Sequence, residues 1–93
     1  MHYRITTMRF DPAKRAEMLA YADSVRHEML AIEGLKSVHI TEVGEGHAIG
    51  LACYDTPEKA LAASVSVQRI LGGMAGFMTA PPQAQDGGVM WAM

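Results

Sequence analysis

Cysteine occurs once, at Cys53, so no intrachain disulfide forms and no second thiol is present for a CxxC pair or a zinc ribbon. A reducing, cytoplasmic setting is the expectation. No stretch reaches the roughly 18 apolar residues of a membrane-spanning helix, and Met1-His2-Tyr3-Arg4-Ile5 lacks the apolar core of a leader. No membrane partner is therefore expected. Charge of one sign is also missing: eight Lys and Arg stand against ten Asp and Glu, for a formal net charge of -2 and a pI near 6.0, with no basic run interleaved with aromatics. That balance gives no electrostatic reason to expect nucleic acid.

Apolar side chains, by contrast, are plentiful, at 49% of 93 residues against 19% charged. A chain of this length fits one domain, residues 1–93, whose single core is modest unless a partner extends it. Part of the apolar excess should face a second subunit or a small apolar molecule.

Residues His2 to Phe10 alternate as a strand, with Tyr3, Ile5 and Thr7 on one side and Arg4, Thr6 and Met8 on the other. Asp11-Pro12 is a helix start, because the carboxylate accepts from free backbone N–H groups and proline's φ suits the first turn. Met18, Ala22, Val25, Met29 and Ile32 then form one apolar stripe that Gly34 terminates, with Asp23, Ser24 and His27 opposite. Leu35–Val43 and His47–Tyr54 read as a hairpin around Gly44-Glu45-Gly46. A two- or four-residue loop sets Val38 and Ile40 with Ile49, Leu51 and Cys53, leaving Ser37, His39 and Thr41 beside Ala48, Gly50, Ala52 and Tyr54. Thr56-Pro57 repeats the capped start, and Ala60, Leu61, Ser64, Val65, Val67 and Leu71 give helix two a broad apolar arc ending at Gly72-Gly73. Pro81-Pro82 forces an extended linker, and Val89–Met93 is the expected last strand. The order is β-α-β-β-α-β, the ferredoxin-like α+β class: a four-stranded antiparallel sheet with helices on one face, and the other face left for a partner.

This pattern resembles the dimeric α+β barrel proteins of the antibiotic biosynthesis monooxygenase-like family. The resemblance rests on element order, on Ile32-Glu33-Gly34-Leu35-Lys36-Ser37-Val38, on Tyr54-Asp55-Thr56-Pro57-Glu58-Lys59-Ala60, and on the closing Pro81-Pro82 to Val89-Met90-Trp91. It implies a homodimer pairing sheet against sheet. The group spans cofactor-free oxygenases, haem degraders, isomerases and proteins of no known activity, so the fold selects no reaction. Its oxygenases and haem degraders place an asparagine, often with a tryptophan, near the reacting centre; this chain has no asparagine, and its one tryptophan, Trp91, falls in the expected last strand. None of those catalytic residues carries over.

The residues themselves nominate His39, Gln68, Tyr54, Arg4 and Thr6 as ligand-binding candidates. The helical angle of Gln68 puts it beside Leu61 and Val65 within the apolar arc, where a buried amide needs a partner. His39, Arg4 and Thr6 line a cavity or bond across the subunit interface, and Tyr54 is a hydroxyl donor near them. A metal site from His39, His47 and Glu42 or Glu45 lacks converging ligands, since Glu42 alternates to the other face, and no cofactor motif is present; neither metal nor cofactor is expected. Three functions stay open: a binder of a small apolar or aromatic molecule; a cofactor-independent monooxygenase or isomerase on an aromatic or polyketide-like substrate, with His39 as acid/base; and a structural subunit. Small residues at Ala48, Gly50 and Ala52 leave space that helices, a partner or a ligand must fill.

Overall fold

A computed structural model describes residues 1–93. The strands are β1 (His2–Arg9), β2 (Leu35–Gly44), β3 (His47–Tyr54) and β4 (Gln83–Gly88), and the helices are α1 (Arg15–Ser24), α2 (Arg26–Leu30), α3 (Pro57–Ala62) and α4 (Ser64–Gly72). The four strands form one antiparallel sheet in the order β2-β3-β1-β4, with the helices on one face. This is the ferredoxin-like α+β arrangement.

Both helix starts form as the capping residues require. The Asp11 carboxylate accepts from the Ala13 N–H at 3.0 Å, and the Thr56 hydroxyl accepts from the Lys59 N–H at 3.1 Å. Each helical segment is interrupted once, at Val25 and at Ala63, so each crosses the sheet as two shorter rods. Met18 is buried, and Tyr21, Ala22, Val25, Met29 and Ile32 turn towards the sheet while Asp23, Ser24 and His27 face water. Gly34, at φ +83, supplies the left-handed turn after α2; a side chain there would also meet the Lys59 stem, whose ammonium pairs with Glu33. Gly73 has a different role. A Cβ at this position would lie 2.0 Å from the Tyr21 hydroxyl, which donates to the Ile70 carbonyl at 2.7 Å and ties α1 to α4.

The hairpin register differs from the one read in the sequence. Val38 pairs with Ala52 and Ile40 with Gly50, not with Cys53 and Leu51. The turn does span two residues, Glu45-Gly46, but β2 carries one surplus residue between Glu42 and Gly44 and another between Leu35 and Ser37. Each such bulge reverses the alternation beyond it. The first turns Val38 and Ile40 inward, and the second turns Leu35 inward as well. Ser37, His39 and Thr41 therefore share the outer face with Ile49, Leu51 and Cys53.

The last strand is also displaced. Gln83–Gly88 pairs with Thr7–His2, and only the Val89 N–H, bonded to the Met1 carbonyl at 3.0 Å, extends that edge. Met90, Trp91 and Met93 are exposed.

The inner face of the sheet presents Arg4, Thr6 and Met8 from β1, paired with Ala52, Gly50 and Ala48 of β3. The core over it lies in two parts. Met8, Phe10, Met18, Ala48 and Met74 form one, and Tyr54, Ala60 and Ala63 form the other. Only 11 of 93 residues are buried, so much of the apolar excess stays at surfaces, with Ile5 of the outer face 39% exposed and Leu61 and Val65 of helix two more than 70% exposed.

Met18→Ala is expected to lower unfolding free energy by about 2–4 kcal/mol, and Leu61→Ala to change it by less than about 0.5 kcal/mol. Equal losses in urea titrations would show that the buried helical faces are misassigned.

Candidate functional site

Between the two parts of the core lies a cavity of about 110 Å³. Its floor is the inner sheet face, where Gly50 and Ala52 are too small to reach the helices. Its roof comes from Ala22, Val25, Met29 and Ile32 on one side and Val67, Ile70 and Leu71 on the other. β2 closes one flank with Leu35, Val38 and Ile40. A Cβ added at Gly50 would stand 3.3 Å from the Met8 terminal methyl, so the missing side chain keeps this floor open. The wall is apolar apart from Arg4 and Thr6, with Tyr21 and Tyr54 also among its lining.

Three of the five candidates read in the sequence thus meet at one site. Thr6 is 7% exposed and Tyr54 fully buried. The Tyr54 hydroxyl oxygen is shut off from solvent and has no hydrogen-bond partner in the protein. Burial pushes its pKa up, the positive charge of Arg4 pulls it down less, and Asp86 adds to the rise. The hydroxyl therefore keeps its proton near neutral pH and is a donor.

Arg4 is engaged through its Nε and one terminal nitrogen. Its Nε donates to Asp86 Oδ1 at 3.2 Å, and a terminal nitrogen lies 3.4 Å from both the Ala60 carbonyl and the Ser64 hydroxyl. One side chain thus ties β1 to the edge strand β4 and to the α3–α4 segment. His2 lies 3.5 Å from the other Asp86 oxygen. Burial raises the Asp86 pKa, but the bonds and charges of Arg4 and His2 outweigh it and hold the carboxyl below its ordinary 3.8.

His39 and Gln68 lie elsewhere. His39 pairs with Leu51 on the outer face and is exposed, because the bulge at Val43 reversed its parity. Gln68 is exposed on α4 alongside Leu61 and Val65; the side of helix two that meets the sheet is Ala60, Ala63, Val67, Ile70 and Leu71. The bulky residues had displaced the centre of the apolar arc. Near the hairpin, Glu42 is held by Arg15 at 3.1 and 3.2 Å, and no three His, Cys, Asp or Glu side chains converge on a common point. What sequence reasoning missed is the helix stripe as a cavity roof: Val25, Met29 and Ile32 have the spacing of core residues and nothing in it distinguishes packing from lining.

No family model and no curated protein matches the chain by sequence. Solved structures match it by fold. A Caulobacter crescentus CB15 protein proposed as an antibiotic biosynthesis monooxygenase superposes with a TM-score of 0.81 at 16% identity, over 97% of this chain and 90% of that one. A monooxygenase from ActVA-Orf6 of Streptomyces coelicolor, in complex with the ligand nanaomycin D, gives 0.75 at 17% identity over 99% and 89%. A Nitrosomonas europaea protein of unknown function gives 0.79 at 12% identity over 99% and 91%. The chain thus has the ferredoxin-like fold of the antibiotic biosynthesis monooxygenase-like proteins along nearly its whole length. At these identities the likeness is one of fold and assigns no reaction. No helix is long and apolar enough to cross a membrane.

A carboxyl whose pKa is lowered by folding adds stability that is complete above its ordinary pKa and is lost as pH falls through the folded value. Asp86→Asn is therefore expected to flatten the decline of unfolding free energy below about pH 4, leaving a remainder to Glu33, which Lys59 also holds low. Identical acid limbs for the two proteins would show that the Arg4–Asp86–His2 cluster does not form.

Proposed function

We propose that this chain, one folding unit over residues 1–93, is a homodimeric binding protein for a small apolar or aromatic molecule held between helices and sheet. The observation that carries the reading is the cavity itself: an apolar space of about 110 Å³ between helices and sheet, with Arg4 and Thr6 among its lining. Small-molecule sites have this composition, an apolar wall with a few fixed polar atoms. At about 110 Å³ the space is smaller than the roughly 150 Å³ that accommodates benzene, so a single ring is the largest group it takes, and the helix roof has to give for it to enter.

The outer sheet face supports the dimer. Ile5, Ile49 and Leu51 project from it, and the helices cover only the other side. The reading places the lone Cys53, buried on that face beside Met1, in a reducing setting such as the cytoplasm.

A cofactor-independent oxygenase is the second reading, favoured by what several fold neighbours are named. The cavity wall offers that chemistry little. Proton abstraction needs a base near neutral pH, whereas Arg4 is cationic and engaged, Tyr54 holds its proton and His39 is on the outer face.

Thermal unfolding against a panel of one-ring compounds is expected to give midpoint increases that grow with concentration and disappear in Ala52→Leu, which fills the floor. Should that variant fold poorly, Gly50→Ala provides a smaller intrusion. A full shift in both variants would place binding elsewhere, and dioxygen uptake on adding a ligand, lost in Tyr54→Phe, would turn the reading to catalysis. Sedimentation is expected to give roughly 20 kDa, twice the 10.1 kDa chain, and Leu51→Glu to give the monomer; a stable monomer without the substitution contradicts the dimer.

A further inference from the structure

The outer face of the sheet carries no carboxylate. Register fixes what it presents: Ile5, Ile49 and Leu51 at its centre, His39 on the β2 flank, and Gln83 and Gln85 on the β4 flank. Asp86 and Glu42 have the inner parity, since they pair with Arg4 and Ala48. The titratable groups left outside are Tyr3, Cys53, His39 and His47, and the one permanent charge is Arg9, whose row with His47 and Gly44 lies at the hairpin end. Around the rim, Glu42 is held by Arg15 at 3.1 Å, Asp55 is paired with Lys36 at 3.3 Å, and Glu45 stands in the turn beyond the Arg9 row.

When two copies pack face to face, each meets only what the other offers, so at any crossing angle a cation on one face finds no anion on the other. The size of the face decides whether His39 is included. Four strands about 4.8 Å apart and eight residues of about 3.3 Å each make roughly 500 Å² in plan, whereas a stable interface takes about 800 Å² from each partner. A dimer on this face therefore covers it from edge to edge. His39, exposed in the single chain beside Leu51, becomes buried. Burial disfavours an imidazolium, and with no carboxylate from either copy nothing replaces its hydration. Arg9 and His47 of either copy add only positive charge, and Tyr3 and Cys53 carry none in either form. The Nε2 of His47 is already shut off from solvent in the single chain, so pairing alters its surroundings less. Building on the homodimer reading above, we infer that association through this face is proton-sensitive, with His39 as the sensing group. Association is then strongest above the ordinary histidine pKa of about 6.5 and weakens as pH falls below it, because the separated chains take up protons that the dimer excludes.

The test is sedimentation equilibrium at pH 8 and pH 5.5, at one ionic strength, on the unmodified chain and on His39→Gln, His39→Leu and His47→Gln. At pH 5.5 a free imidazole of ordinary pKa is roughly nine-tenths protonated, so a dimer that keeps two of them neutral is weakened by up to about a hundredfold. The dimer dissociation constant is expected to rise at least about tenfold in the unmodified chain and in His47→Gln, and less than about threefold in both His39 variants. Circular dichroism is expected to show a folded chain at both pH values, because the acid limb set by Asp86 and Glu33 lies lower. A constant that does not change with pH in the unmodified chain, or a weakening that survives in both His39 variants, overturns the inference and leaves the dimer standing. A monomer at pH 8 removes the homodimer reading and this inference with it.

Discussion

Two surplus residues in β2 decide which side chains of the hairpin meet the helices, and the rest of the inner layer depends on that choice. With one residue inserted between Glu42 and Gly44, Val38 and Ile40 turn inward over Ala52 and Gly50. With another between Leu35 and Ser37, Leu35 joins them over Tyr54. A hairpin without these bulges would set Ser37, His39 and Thr41 against the helices and send the branched residues out, a polar layer in the place of a core. The sheet would still form, but it would have no reason to be covered on this side.

The same choice creates the cavity. Branched residues of β2 and β1's Met8 reach the helices, whereas Gly50 and Ala52 between them do not, so the helix stripe rests on the rims of the floor and not on its centre. Arg4 closes the polar end by joining three elements through three acceptors. Tyr54 is drawn under α3 by its packing with Ala60 and Ala63, which buries its hydroxyl whether or not an acceptor is present. Shape and chemistry at the site therefore have one origin, the register of the hairpin, and the apolar outer face is its other product.

Element order and class were legible in the sequence because capping pairs and helical spacing are local: Asp11-Pro12, Thr56-Pro57 and the Met18 to Ile32 stripe all appear in the structure as read. Arg4, Thr6 and Tyr54 were legible for a related reason, since β1 and β3 are free of bulges and their alternation holds. His39 was not, because alternation with a period of two gives no sign of an inserted residue, and one insertion moves the whole strand to the opposite parity. Gln68 was misplaced because helix two is apolar nearly all round, and size pulled the arc towards Leu61 and Val65 although the small residues Ala60 and Ala63 fit closest to the sheet. β4 was hidden by composition: Gln83–Gly88 has no strand propensity of its own and is held by pairing with β1, whereas apolar Val89–Met93 has no strand to pair with.

The most direct measurement is of the hairpin register, by through-space NMR contacts from a selectively labelled Ala52 methyl. Cross-peaks to the Val38 methyls are the predicted result, since Ala52 and Val38 are cross-strand partners on the inner face. Cross-peaks to the His39 ring in their place would restore the unbulged hairpin, remove Val38 and Ile40 from the cavity wall, and contradict the account of how this site is built.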